Sequence, residues 1–260
     1  MLYSDYKAYQ QGAPAGYAGW CLVAIFKFAL DCNHSPSSMS GTKTPTTVTS
    51  QQQSPIDINP KATKEVVMDK RVGHIHLALG SASGHMEYLD TNFRVNWCGD
   101  AKSVLTLRDG REYHPIQFHF HTPSEHTLEG KRFPFCMHLV HQAANGDLAV
   151  VGVFFEEGEE SSFLKQFWHY LPELDPHGEH LTVNNIDFDS LDITNESFYR
   201  YQGSLTTPPF TEGVEWVIVK DARTVSKAQI LAFIDAIPGE SNARELQPIR
   251  GAAGKILFCC

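Results

Sequence analysis

From Ser54 onward the chain is built of short apolar runs in which residues alternate or are β-branched, each run closed by turn-forming residues. The clearest are His74–Leu79, Phe93–Trp97, Ser103–Arg108, Ile116–His121, Phe135–Gln142, Ala149–Phe155 and Val214–Val219. Runs of this length and composition predict strands. Asp109-Gly110 and Asn145-Gly146 fall between such runs and predict hairpin turns, because both dipeptides accept positive φ. Helical periodicity, with apolar residues at three- and four-residue steps, is confined to Ser161–Tyr170 and Ser226–Ala236. No internal repeat is visible. The pattern predicts a mainly β, single domain with a few peripheral helices.

Residues 1–52 follow a different pattern. Trp20–Leu30 is an apolar run of eleven interrupted by Lys27, too short to span a bilayer. A signal peptide would want a basic segment before an early apolar run, so the stretch reads as a short helix or a disordered lead-in. Ser35–Gln53 is rich in Ser, Thr and Gln and reads as a linker. The division drawn is therefore a lead-in at 1–52 and a catalytic domain at 53–260. The sequence fixes no compartment; without an export signal it favours the cytoplasm over secretion, and no transmembrane segment is expected.

Bulk composition narrows the partners. The chain has 260 residues, 42% hydrophobic, with 21 basic against 30 acidic residues and a net charge of −9. That balance excludes nucleic acid and anionic membrane as partners on electrostatic grounds. The six cysteines, at 21, 32, 98, 136, 259 and 260, match no zinc-finger or redox spacing and form no disulfide framework.

The chemistry concentrates in Gln117-Phe118-His119-Phe120-His121 and Met137-His138-Leu139. Residues two apart in a strand face the same way. His119 and His121 thus share a face with Gln117, while Phe118 and Phe120 take the other. His138 lies in the neighbouring run Phe135–Val140. Three neutral imidazoles would leave a tetrahedral zinc one open position, the pattern of a catalytic rather than a structural site.

Longer motifs then carry a resemblance. Gln53-Ser54-Pro55-Ile56-Asp57-Ile58, the block His119–His126 (HFHTPSEH), Met137-His138-Leu139-Val140-His141 and Ser204-Leu205-Thr206-Thr207-Pro208-Pro209 resemble the α-class carbonic anhydrases. The match continues through Glu212, Trp216, Asn242-Ala243-Arg244 and Gln247-Pro248-Ile249, covering about residues 53–258. The short loop His121–His126 is most similar to the compact bacterial and algal members. The resemblance implies a central twisted, mostly antiparallel sheet of about ten strands. It also implies Zn2+ held by His119, His121 and His138, and reversible hydration of carbon dioxide to bicarbonate by zinc-bound hydroxide. Inhibition by sulfonamides and anions would follow.

By the same resemblance Thr206 accepts a hydrogen bond from the nucleophile and donates one to Glu125, a positioning effect. Val140, Val150, Leu205, Thr207, Val214 and Trp216 would line the substrate pocket. Around the ligands, Gln117 would accept from His119, the backbone would serve His121, and His126 with Tyr201 would form a buried pair supporting Glu125. Asn242 and Arg244 fall at positions that support the site.

Several residues depart from the family pattern. Where members usually carry a Glu that accepts from the third ligand, this chain has Cys136. Three readings of it stand: a poor acceptor behind His138, a fourth metal ligand that closes the site, or a plain buried thiol. The usual proton-shuttling His is also missing, the alignment placing Thr91 or, shifted, Phe93 there; His85 and His114 are near in sequence but not placed, and no shuttle is assigned. Many secreted members join a Cys before Gln-Ser-Pro to one after Pro-Pro, whereas this chain has Phe210 at the second position. The competing reading is a catalytically impaired or silent binding protein on the same scaffold.

Overall fold

Alternating burial along the strands is what assembles this chain, and the computed structural model shows it. The described residues are 52–62, 64–65, 75–89, 91–99, 102–175, 177–178, 180–239, 241–249 and 256–259. They lie in one compact unit at 49–260. The lead-in with Trp20–Leu30, and the linker apart from Gln52 and Gln53, lie outside the described residues.

Sixteen strands are found among the described residues. In chain order the first eight are β1 (Asp57–Ile58), β2 (Lys64–Glu65), β3 (His76–Ala78), β4 (Ala82–Leu89), β5 (Asn92–Gly99), β6 (Val104–Thr106), β7 (Glu112–His121) and β8 (Thr127–Leu128). The others are β9 (Lys131–Arg132), β10 (Phe135–Gln142), β11 (Leu148–Glu157), β12 (Leu181–Ile186), β13 (Phe198–Ser204), β14 (Glu212–Val219), β15 (Arg223–Val225) and β16 (Leu257–Cys259). The large twisted sheet follows a ten-strand path, β12-β4-β5-β7-β10-β11-β14-β13-β16-β2. Pairing along it is antiparallel except for β11–β14 and β16–β2, with a further parallel pair where β15 joins β11. The expected architecture is therefore the observed one.

The two predicted hairpin turns are present. Gly110 and Gly146 take φ of 83° and 94°, and their amides close turns onto the carbonyls of Leu107 and Ala143 at 2.8 and 2.9 Å.

The sheet buries both faces, and the two faces differ. On the back, Phe118, Phe120, Phe135, Met137, Val151 and Val217 belong to the main apolar core. Two helices cover it. The predicted Ser161–Tyr170 helix is realised as α1 (Ser162–Lys165) capped by Ser161, followed by a 3-10 segment at Trp168–Glu173. Phe167 leaves helical geometry and Pro172 lacks an N–H, so one continuous helix cannot form. The second helix, α2 (Lys227–Ala236), matches its prediction and opens on a capping box between Ser226 and Gln229. Gln229 also bonds the backbone of Ser161 at 2.9 and 3.0 Å, joining the two helices.

On the front, Cys136, Val140, Val150, Val214 and Trp216 belong to a second, smaller cluster. β10 is buried at every residue from Phe135 to His141, which explains its unbroken apolar sequence. The front face of β7 and β10 is where the histidines emerge.

Candidate metal centre

β7 and β10 run antiparallel with His119 opposite His138, His121 opposite Cys136 and Gln117 opposite Val140. Directly opposed residues leave the sheet on the same side. One register therefore gathers all three imidazoles on the front face. Their nitrogens lie within 4.8 Å of one another, and the ring centroids are 5.1, 5.3 and 4.8 Å apart. His121 and His138 are buried and His119 is partly so.

Each ring is held from behind. Gln117 Oε1 accepts from His119 Nδ1 at 2.9 Å. The Asn242 carbonyl accepts from His121 Nδ1 at 3.1 Å. Both bonds leave Nε2 toward the trio, and His121 Nε2 has no hydrogen-bond partner. Asn242 is itself fixed, its Oδ1 accepting from Thr122 N at 2.9 Å and its Nδ2 donating to the Phe120 carbonyl. Burial first, then the neighbouring histidines, pushes the pKa of His119 and His138 well below the ordinary imidazole value. Both are neutral, as metal ligands must be.

His138 is turned the other way. Its Nε2 faces Cys136 Sγ at 3.8 Å, and Nδ1 faces the buried Glu125 at 3.7 Å. The thiol thus lies against the His138 nitrogen opposite the one that faces Glu125. Burial raises the Cys136 pKa above the usual thiol range, and the Glu125 charge adds to it. The side chain is a neutral thiol and a weak acceptor. Gly152, the partner of His138 on β11, leaves room for the Ile218 side chain. A Cβ there would stand 2.6 Å from Ile218 Cδ1 and 3.9 Å from His138 Cδ2.

Glu125 is 1% exposed. Its Oε1 accepts from the Arg244 amide at 3.0 Å, as the resemblance placed Arg244 beside the site. Its Oε2 has no hydrogen-bond partner and lies 3.5 Å from His121 Nε2. The expected hydroxyl bond from Thr206 to Glu125 is therefore not made; that oxygen faces imidazole nitrogens instead. Thr206 is buried in the turn after β13, where the Leu205 amide donates to the Thr211 carbonyl at 2.9 Å. Thr207 is exposed.

His126 Nε2 meets the Tyr201 hydroxyl at 2.6 Å. The expected pair is present, and the phenol continues to Ser54 Oγ at 2.7 Å. Ser54 and Ser204 then exchange two bonds at 3.0 Å. Burial, with the nearby His121, holds the His126 pKa down to about 3, so the ring is neutral. This network packs over Gly203, where a Cβ would come 2.1 Å from Ser54 Oγ. Ser54, Ser204 and Gly152 had no assigned role in the sequence. The two serines stood inside recognised motifs, and Gly152 interrupts an otherwise apolar strand.

Val140, Val150, Val214 and Trp216 are buried in the front cluster, with Leu205 packed against it. Trp216 meets His138 edge-on and His126 at a tilt, at centroid distances of 4.9 and 4.6 Å. Neither candidate shuttle position carries a titratable side chain. Phe93 is fully buried on the back face, and Thr91 lies in the turn before β5, its carbonyl accepting from Asn242 Nδ2. His85 lies on β4, two strands from β7, packed on His180 at 4.4 Å, while His114 is exposed and near the Ser103 carbonyl.

Three imidazoles converging on one face of a large sheet form a group that could hold a metal ion. The particular family follows from comparison with known proteins. The sequence profile of the eukaryotic-type carbonic anhydrases matches residues 35–251. Alpha carbonic anhydrase 3 of Arabidopsis thaliana is 34% identical over 206 residues, 78% of this chain and 73% of the relative. Among solved structures, an α-carbonic anhydrase of Thermovibrio ammonificans in complex with the inhibitor sulfanilamide superposes with a TM-score of 0.70. It is 34% identical, covering 79% of this chain and 86% of that one. A dioscorin complexed with ascorbate gives a TM-score of 0.72 at 27% identity, covering 80% and 86%. The chain belongs to the α-class carbonic anhydrase family.

Proposed function

We propose that this protein is a zinc-dependent enzyme that interconverts carbon dioxide with bicarbonate and a proton. The observation that carries the reading is the trio of imidazoles whose nitrogens lie within 4.8 Å of one another, one of those nitrogens buried without a partner. That donor set suits Zn2+, with His119 and His121 offering Nε2 and His138 offering Nδ1. A zinc ion held there would supply a nucleophile at neutral pH by acidifying water, an effect for which carbonic anhydrase is itself the reference case.

The chain's own residues supply the rest. Gln117 and the Asn242 carbonyl fix the tautomers of two ligands. Glu125, steadied by the Arg244 amide, keeps an unpartnered acceptor oxygen at the centre. That oxygen is the one available to the Thr206 hydroxyl, which would thereby orient the attacking oxygen. Val140, Val150, Val214, Trp216 and Leu205 offer an apolar wall to an apolar substrate and none to its charged product. A sulfonamide should bind as an anion at the same place, as the sulfanilamide complex of the Thermovibrio relative suggests.

No titratable side chain stands at Thr91 or Phe93, so proton release should limit turnover. Stopped-flow hydration should rise with added imidazole buffer, and turnover indifferent to millimolar buffer would count against this. A second reading, a silent binding protein, draws on the dioscorin likeness and on Cys136. Stopped-flow hydration by protein carrying one zinc per chain separates the two. Sulfonamide-sensitive hydration supports the enzyme; full zinc occupancy without hydration supports the binding protein.

A further inference from the structure

The front face carries a cation beside the imidazoles. The β5–β7 register places Arg94 directly opposite His119, and Asn96 opposite Gln117. Opposed residues share a face, so Arg94 and His119 project from the same side of the sheet. On the side away from His119, Arg94 Nε pairs with Glu87 Oε1 at 2.5 Å. Glu87 is its register partner on β4. Both side chains are partly exposed, at 39% and 31%. A partly exposed ion pair contributes little to stability, which leaves its placement unexplained by folding alone. In the neighbouring row Asn96 and Gln117 are uncharged and His85 stands opposite Asn96 on β4, and the chain as a whole is strongly acidic.

We propose that Arg94 sets the anion preference of this centre: its guanidinium favours small anions, the bicarbonate product among them, and Glu87 tempers that preference by holding the guanidinium back. The inference rests on the proposed zinc centre. At the separation of adjacent strands, one charge at a half-exposed position changes anion affinity about 3- to 10-fold. Glu87→Gln should act in the opposite sense by about 2- to 3-fold, by the same reasoning.

The test is calorimetric titration of zinc-loaded protein with thiocyanate, with zinc content and aromatic sulfonamide binding measured on each sample. Arg94→Gln should weaken thiocyanate about 3- to 10-fold. Arg94→Lys should retain most of the affinity, and Glu87→Gln should strengthen it. A merely structural pair would move both variants in one direction. Unchanged affinity in Arg94→Gln at full zinc occupancy overturns this inference alone. Failure of the unmutated protein to hold zinc overturns the proposed function and this inference with it.

Discussion

The three-histidine cluster has two sides built to different standards. On β7, His119 and His121 are each held by an oxygen acceptor, Gln117 Oε1 at 2.9 Å and the Asn242 carbonyl at 3.1 Å. On β10, the atom behind His138 is the Cys136 sulfur at 3.8 Å. An oxygen acceptor fixes a ring and raises its basicity, whereas a neutral thiol does little of either. The arrangement of the His138 ring must therefore come from strand register and packing, with Trp216 beside it. The comparison teaches that strand register can place an imidazole even where the hydrogen bond behind it is a weak one to sulfur.

If register carries the geometry, the back-face core that fixes register should dominate. Phe120 is fully buried and touches the rings of Phe93, Phe135, Trp168 and Phe233. Phe120→Ala should cost about 3–5 kcal/mol in chemical denaturation. A loss below about 1 kcal/mol, far under that range, would show that the sheet is held by something else.

Next in size is the contrast between the two sides themselves. Gln117→Leu should weaken zinc about 10- to 100-fold in competition with a chromophoric chelator. Cys136→Glu should tighten it by a comparable factor, and Cys136→Ala should change it little. Equal zinc affinity in the Cys136→Glu and unmutated proteins would show that β10 has nothing to gain.

The smallest effect concerns a histidine of β10 outside the centre. His141 is fully buried, with Nδ1 donating to the Leu139 carbonyl at 3.0 Å and Nε2 unpartnered. Burial holds its pKa down to about 3 against 6.5 in the unfolded chain. Below pH 6.5 the unfolded state therefore binds the proton and the folded state refuses it. Stability should fall by roughly 1.4 kcal/mol per pH unit from this residue as pH drops toward 3. His141→Leu should flatten that slope in urea melts taken between pH 6.5 and 4.5; an unchanged slope would assign the acid sensitivity elsewhere.

Much of this centre was legible in the sequence because it depends on period two. His119, His121 and Gln117 share a face for that reason alone, and β10 announced itself by an unbroken apolar run. The strands that escaped notice had no such signal. β4 presents small Ala82 and Gly84 to its buried side, so its alternation carries little hydrophobicity. β13 mixes Tyr, Arg, Gln and Gly because its polar groups are used in the Tyr201 and Glu215 networks. The role of Cys136 was open because period two sets its face but not which nitrogen of His138 it meets. The Thr206 to Glu125 bond, expected from the family resemblance, depends on rotamers that no spacing encodes. In the structure Oε2 of Glu125 faces the imidazoles.

The central claim is that three imidazoles, and not the thiol, hold the metal and leave it open. X-ray absorption at the zinc edge of the loaded protein tests it directly. The account predicts three imidazole nitrogens and one further light-atom ligand, with no sulfur. A zinc–sulfur shell near about 2.3 Å would place Cys136 on the metal, close the site and contradict the account.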